Sequence, residues 1–484
     1  MNNFVRKAAT LMTAAAAVMM AAAPIAANAQ AKTNVVWFVG LGTGTDPQQI
    51  AVQKQVVADF NSSHSDINLT LQISPDNATA YTLLASQIAA DTAPDIVGPV
   101  GVAGSNNFLS QWADLKPLID KNKVDLSLYD PAVLSLYQTL NGGFNAIPFA
   151  VFPSAMYYNP KLFDEAGLKY PPSKYGDQYV MPDGTKVDWT WDTVTKIAQI
   201  LTVDKAGNDA TSAKFDPANI VQFGFTFGND GPRLQLDDLQ PASFYDPTTN
   251  KVAIPDAWKK GLQWISDSIW KTHISPNSAE SASTLLQPSP FDSQNVAMAS
   301  QQLWFACCLS DTAGKLKWDL GVMPKGFDGQ YHVAVDADTF RLYKGSKNPD
   351  AAFVVLQYLL NDAVPKLAPA YGAFPALAKY QKAWIDSENA KYPQGVNWQA
   401  AIDGLKYTIP SSMHHESNFP NFNQGQNRWA SLFSLIAADG GDKLDLTSEI
   451  NKLQTDLQSI ANGTYPTATP VPTVVPTAAA TASK

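Results

Sequence analysis

Apolar and polar positions alternate along this chain in two rhythms that follow one another repeatedly. VVWFVG (35–40) is a short apolar run that enters a Gly/Thr loop, GLGTGTDPQQ. In 49–60 the apolar residues Ile50, Val56, Val57 and Phe60 fall at helical spacing, and INLTLQI (Ile67–Ile73) then alternates with Leu69 and Leu71 on one face. The first pattern predicts a helix and the second a strand. A further helix is expected over 81–90, stopped by Asp91-Thr92-Ala93-Pro94, with a third strand at Asp95-Ile96-Val97. Strand and helix in alternation with short turns imply a parallel sheet covered by helices. The alternation restarts with a strand at 156–159, a helix over Trp191–Leu201 and a strand at 222–227. Helices dominate afterwards, at 257–271, 349–361, 429–438 and 446–460, with Asp192 and Asn348-Pro349 as helix starts. No tandem repeat is present. The pattern is that of an α/β protein in two lobes.

Both ends depart from it. Arg6 and Lys7 precede an apolar stretch over 11–23, and Ala27-Asn28-Ala29 supplies a small-x-small cleavage site, so 1–29 reads as a secretory signal peptide. The apolar run is well short of the ~20 residues of a membrane span. No Cys follows the cleavage site to carry a lipid. The last segment, 461–484, is rich in Pro, Thr and Ala without apolar period, which predicts a disordered tail or wall spacer. The mature protein is therefore expected to be exported, to the periplasm or the outer cell surface, as a soluble molecule.

Composition narrows the partners. Hydrophobic residues make up 45% of the 484, enough to fill cores. Net charge is −9, and −11 once Arg6 and Lys7 are removed, which argues against nucleic acid and anionic membrane as partners. After the leader only Arg233, Arg341 and Arg428 remain. Phosphates and carboxylates favour bidentate Arg recognition, so this scarcity tilts the ligand toward a neutral molecule.

Seven landmarks in order extend the picture: VVWFVG with the helix ending ADFN, LLASQIAADTAPDIV (83–97), NAIPFAVFPSAMYYNPKLFDEAG (145–167), WTWDTVTKIAQILT, QNVAMASQQLW with GVMPKG, KNPDAAFVVLQYLL, and YGAFPAL. In this order they resemble the extracellular solute-binding proteins of ABC importers, in the carbohydrate-binding family that includes maltose-binding protein. The resemblance implies two α/β lobes with interleaved chain segments, a hinge of crossing strands and a ligand cleft between the lobes. It divides the chain into lobe I at 32–148 plus 336–375 and lobe II at 149–335 plus 376–460. It also implies a carbohydrate ligand, ABC permease subunits as partners, a monomer, no cofactor, no metal and no catalytic residue.

A sugar offers flat C–H faces edged by hydroxyls, so its site needs aromatic platforms and short polar groups. The resemblance places Trp304 and Trp429 as stacking platforms, although most of the twelve Trp residues must be filler. The loop 41–49 offers Thr43, Thr45, Asp46 and Gln48, or is an ordinary turn between strand and helix. Asp336 and Asp338, in VAVDADTF, fall at the implied return crossover, as ligand acceptors or as hinge residues. Tyr371 and Phe374 are implied at the cleft rim, with core packing as the rival. Arg428 would serve an anionic polyol of the glycerophosphate type, the alternative ligand. Phe152 stands where maltose-binding relatives carry Glu, and Gly98-Pro99-Val100-Gly101 lacks their Trp, Asp and Arg, so maltose specificity does not carry over.

A secreted glycoside hydrolase is the rival class. It needs two carboxylates ~5–9 Å apart, and no acidic pair stands in a matching context. The GxSxG elbow and the HExxH helix are absent. The adjacent His414-His415 cannot converge on one metal from a regular element. Cys307 and Cys308, the only cysteines, are direct neighbours, either as a strained vicinal bridge or as two buried thiols.

Overall fold

A computed structural model describes residues 32–139, 141–228, 232–307, 309, 316–409 and 419–466. The expected signal peptide at 1–29, Cys308, the side chain of Cys307, His414-His415 and the segment from 467 lie outside the described residues. The first three strands are Thr33–Val39, Ile67–Ile73 and Ile96–Val100, with the first pairing in parallel with both others. The connecting helix Pro47–Ser63 starts where Asp46 accepts a hydrogen bond from the Gln48 N–H, and Pro47 occupies its first turn. Val56 and Phe60 turn inward from it, as the spacing predicts. The second connection, Asn77–Ala89, is capped in the same way by Asp76.

Ile147–Tyr158 is the crossover strand. All twelve of its residues are buried, so it carries no alternation, and periodicity alone picks out only its end. Its first half pairs antiparallel with the return strand Val335–Leu342, and its second half pairs antiparallel with Val296–Gln302. The return strand also pairs antiparallel with Ile96–Val100, and Val296–Gln302 runs parallel to Ile220–Phe227. One sheet thus runs without a break from the three N-terminal strands, through the return and crossover strands, into the second lobe. The helix Trp191–Leu201 covers that lobe with Trp191, Val194, Ile197, Ala198 and Leu201 buried.

Helix ends differ from the sequence reading at one place that matters. The helix expected from 429 spans Phe422–Ala437, and Gly425, Arg428 and Trp429 are all buried within it. Unread in the sequence were a hairpin, Tyr179–Val180 with Lys186–Val187, and the helix Ala378–Lys391. Among the described residues no helix is long and apolar enough to cross a membrane.

Candidate functional site

In an open parallel sheet the strands' carboxyl ends leave a crevice where ligands bind. Here those ends lead into 40–46 and 101–105 from the N-terminal strands, and into Gly228 and 303–307 from the second lobe. Between them lies the sheet formed by the crossover and return strands. Directly opposed residues in antiparallel strands share a face, and alternate residues repeat it. Asp336 opposes Phe152 and Asp338 opposes Ala150, while Gln302 opposes Ser154 and Ser300 opposes Met156. Asp338, Asp336, Ser154, Gln302 and Ser300 therefore form a polar row along one face, crossing from one lobe to the other.

Asp338 is half-buried, with part of its surface open and protein around the rest. A Cβ built on Gly101 would lie 3.2 Å from its Oδ1, so the loop after Ile96–Val100 closes over it. It accepts no hydrogen bond from any described residue. Burial, and then the neighbouring charge of Asp336, push its carboxyl up to about 7. Tyr371 is buried nearby, and its hydroxyl lies 2.5 Å from Gln53 Nε2, which also donates to the Gly44 carbonyl at 2.9 Å. Gly44 has φ +100, and a Cβ there would meet both the Tyr371 hydroxyl and Gln53 Nε2, so a side chain would push this corner apart.

At the other end of the row, Asp238 is fully buried and takes hydrogen bonds from Ser300 Oγ at 2.8 Å and the Ala334 N–H at 3.1 Å. Burial raises its carboxyl to about 7 despite those donors. Gln302 is also fully buried, and among the described residues neither atom of its side-chain amide has a hydrogen-bond partner. Trp304 follows in the short helical turn Leu303–Cys307, half-buried and edge-on to Phe305 at 6.1 Å. On the opposite face of the strand from Ser300 and Gln302, a recess of about 220 Å³ is lined by Phe227, Phe291, Phe305, Thr226, Ser289 and Gln301.

Several candidates are used elsewhere. Trp429 is 2% exposed, its ring edge-on to Phe244 and Trp258 at 5.6 and 5.4 Å, which corrects the expectation of a stacking platform. Arg428 is buried and donates from Nε to Asp456 at 2.7 Å, so it ties two helices together instead of awaiting an anion. Phe374 is fully buried, paired with the crossover strand and packed on Trp384, and so is core and not rim. Asp46 caps its helix through Gln48, and both are exposed; Thr45 Oγ1 reaches Asn77 Oδ1 at 3.4 Å, and Thr43 is half-buried. The polar loop 41–49 thus behaves first as a strand-to-helix turn. The structure brings together Asp336, Asp338 and Tyr371. It adds Gln53, Gly101, Ser154, Asp238, Ser300 and Gln302, which the sequence reading did not single out. Gln53 left one signal: it stands on the apolar stripe of its helix, three residues from Ile50 and from Val56.

Residues 45–364 match the family described as "Bacterial extracellular solute-binding protein". An arabinooligosaccharide-binding protein of Halalkalibacterium halodurans is 27% identical over 152 residues, 31% of this chain. That match covers about a third of the relative's length, 34%. An ABC substrate-binding protein from Listeria monocytogenes, in complex with cycloalternan, superposes with a TM-score of 0.66 at 18% identity, over 89% of this chain and 99% of that one. The sugar-binding protein MalE from Xanthomonas citri gives 0.66 at 16% identity, over 89% and 98%. At such identities the superpositions speak for the two-lobed fold alone.

Proposed function

The chain belongs to the bacterial extracellular solute-binding proteins, and from that membership we propose that it captures a neutral sugar or oligosaccharide between its lobes and delivers it to the membrane subunits of an ABC importer. The observation that carries the ligand class is the Asp338 carboxylate, which lies on the polar row between the lobes without a donor from any described residue. A hydroxyl-rich ligand supplies such donors, and a carboxylate can accept from two of them. Trp304, half-buried beside the row, is the proposed stacking platform, and Asp336, Tyr371, Thr43 and Thr45 complete the lobe I wall. With Arg428 paired to Asp456 and Arg341 buried, an anionic polyol loses its support. The arabinooligosaccharide relative and the cycloalternan-bound structural neighbour favour the same class.

The signal peptide reading puts the mature chain outside the cytoplasmic membrane, with the Pro/Thr/Ala tail as a spacer, and a single copy suffices for the cleft. Titration calorimetry against arabino-, manno- and malto-oligosaccharides tests the ligand class, with product analysis of the same mixtures. Saturable binding without turnover is the expected result. Sugar cleavage would move the protein to the hydrolases, and binding of glycerophosphate but of no neutral sugar would restore the anionic reading.

A further inference from the structure

The recess in the second lobe is built from residues that the polar row does not use. Ala299 and Gln301 line it, on the face of their strand opposite Ser300 and Gln302. Tyr157 opposes Ala299 from the crossover strand, and its ring meets Phe291 and Phe305 edge-on at 6.1 and 5.6 Å. Both phenylalanines line the recess, and Tyr157 behind them is fully buried, so the recess ends there. Ser281 and Ser289, both half-buried, bring hydroxyls to it. Ser289 Oγ donates to Asp292 at 2.7 Å and keeps its own lone pairs for a ligand donor.

Place and size both point to a ligand. The recess lies between Gly228 and Phe305, where two parallel strands of the second lobe end, and ligands of open parallel sheets bind at such ends. Its volume of about 220 Å³ is below the ~300–1,000 Å³ of pockets for drug-sized ligands, so it has room for a single ring and not for a chain. Phe305 also meets the Trp304 ring edge-on at 6.1 Å, so the recess adjoins the proposed stacking platform.

We propose that this recess is an end subsite, which takes one terminal ring of an oligosaccharide whose preceding ring lies on Trp304. The inference rests on the sugar-binding reading above and deepens it, because it makes the ligand a chain and not a single sugar. Phe291 and Phe305 meet the C–H face of the terminal ring, and Ser281 and Ser289 meet its hydroxyl edge. The chain cannot run on past the buried Tyr157, so the protein reads a chain end here.

The decisive variant is Ser281→Tyr, which fills the recess, with Ser289→Tyr as a second filling variant and Ser281→Ala as the control that leaves the room open. Each is compared with the wild type in unliganded melting and in calorimetry with mono-, di- and trisaccharides of the arabino, manno and malto series. In the best-bound series the wild type is expected to gain about 10-fold or more in affinity from monosaccharide to disaccharide. The filling variants should erase that gain and keep the monosaccharide affinity, while Ser281→Ala keeps most of the gain. Melting identifies a filling variant that has disturbed the lobe, and the other then decides. A gain that survives filling, no gain in the wild type, or an equal loss for mono- and disaccharide overturns the subsite and leaves sugar binding standing. A wild type that binds none of the sugars removes the sugar-binding reading, and this inference with it.

Discussion

Asp338 is the residue on which pH acts most directly. Its carboxyl is raised from 3.8 to about 7 by burial and by Asp336, with the Tyr371 hydroxyl also close enough to feel its charge. The folded protein therefore keeps a proton that the unfolded chain releases near pH 4. The contribution to stability is complete below that value and is lost as pH rises to about 7. Asp238 acts in the same direction, so Asp338→Asn should flatten, without abolishing, the fall in melting temperature between pH 5 and 7.5. Ligand hydroxyls donate to the ionised form, so affinity should climb over the range in which unliganded stability falls. A pH-independent dissociation constant in the wild type would exclude Asp338 as an acceptor. The two tryptophans divide in the same measurements. Trp429→Ala should cost ~3–5 kcal/mol of stability as a core deletion, whereas Trp304→Ala should mainly weaken sugar binding. If Trp304→Ala lowers melting and spares affinity, Trp304 is core as well. Sequence motifs singled out Trp304, Asp336, Asp338 and Tyr371, of which Asp336, Asp338 and Tyr371 stand close together in the fold. They misplaced Trp429 and Arg428 because a helix places its inner face by packing, and neighbours such as Trp258 and Asp456 are remote in sequence.

Elements that cover the sheet on one side were readable, because an inner face and an outer face leave a period. Ile67–Ile73 and Trp191–Leu201 have the bounds that periodicity predicts. The crossover strand was mostly hidden for the opposite reason, being buried on both faces along its whole length. The return strand was legible only by resemblance, since its Asp336 and Asp338 disguise a central strand as a loop. A different local device holds the turn after Trp191–Leu201. Asp204 accepts from the side chain of Asn208 and from the N–H groups of Asn208, Asp216 and Ala206, which bring its carboxyl down to about 2. Its support is present above pH 4 and is lost only as pH falls toward 2. Asp204→Ala should lower melting by several degrees at neutral pH and leave sugar affinity unchanged, because the turn is remote from the polar row. Loss of binding without loss of melting would contradict that separation.

At the scale of the molecule, a ligand that touches both ends of the row binds the closed arrangement better and shifts the population toward it. Small-angle scattering should show the radius of gyration falling on saturation with the correct sugar, and an unchanged radius would count against a two-lobed clamp. Arg341 should limit how far the hinge can relax. It is buried, with its guanidinium on the Asn145 carbonyl and side chain and on Ser105 Oγ, and burial lowers it to about 10. It ties together the approach to the crossover strand, the loop beside Asp338 and the return strand.

The order of strands in the sheet also bears on how such a chain is made. Ile96–Val100 and Ile147–Tyr158 do not touch as partners in the finished sheet; Val335–Leu342, made about 180 residues after the crossover strand, lies between them. Until that strand has emerged, each of its two flanking partners has an open edge, the kind of edge that invites pairing with other chains. The first lobe thus cannot complete its sheet while the second is still being synthesised, and contacts of such long sequence separation form slowly. A chain cut after Tyr331 should aggregate where the full chain does not, and sedimentation of the two products measures the difference.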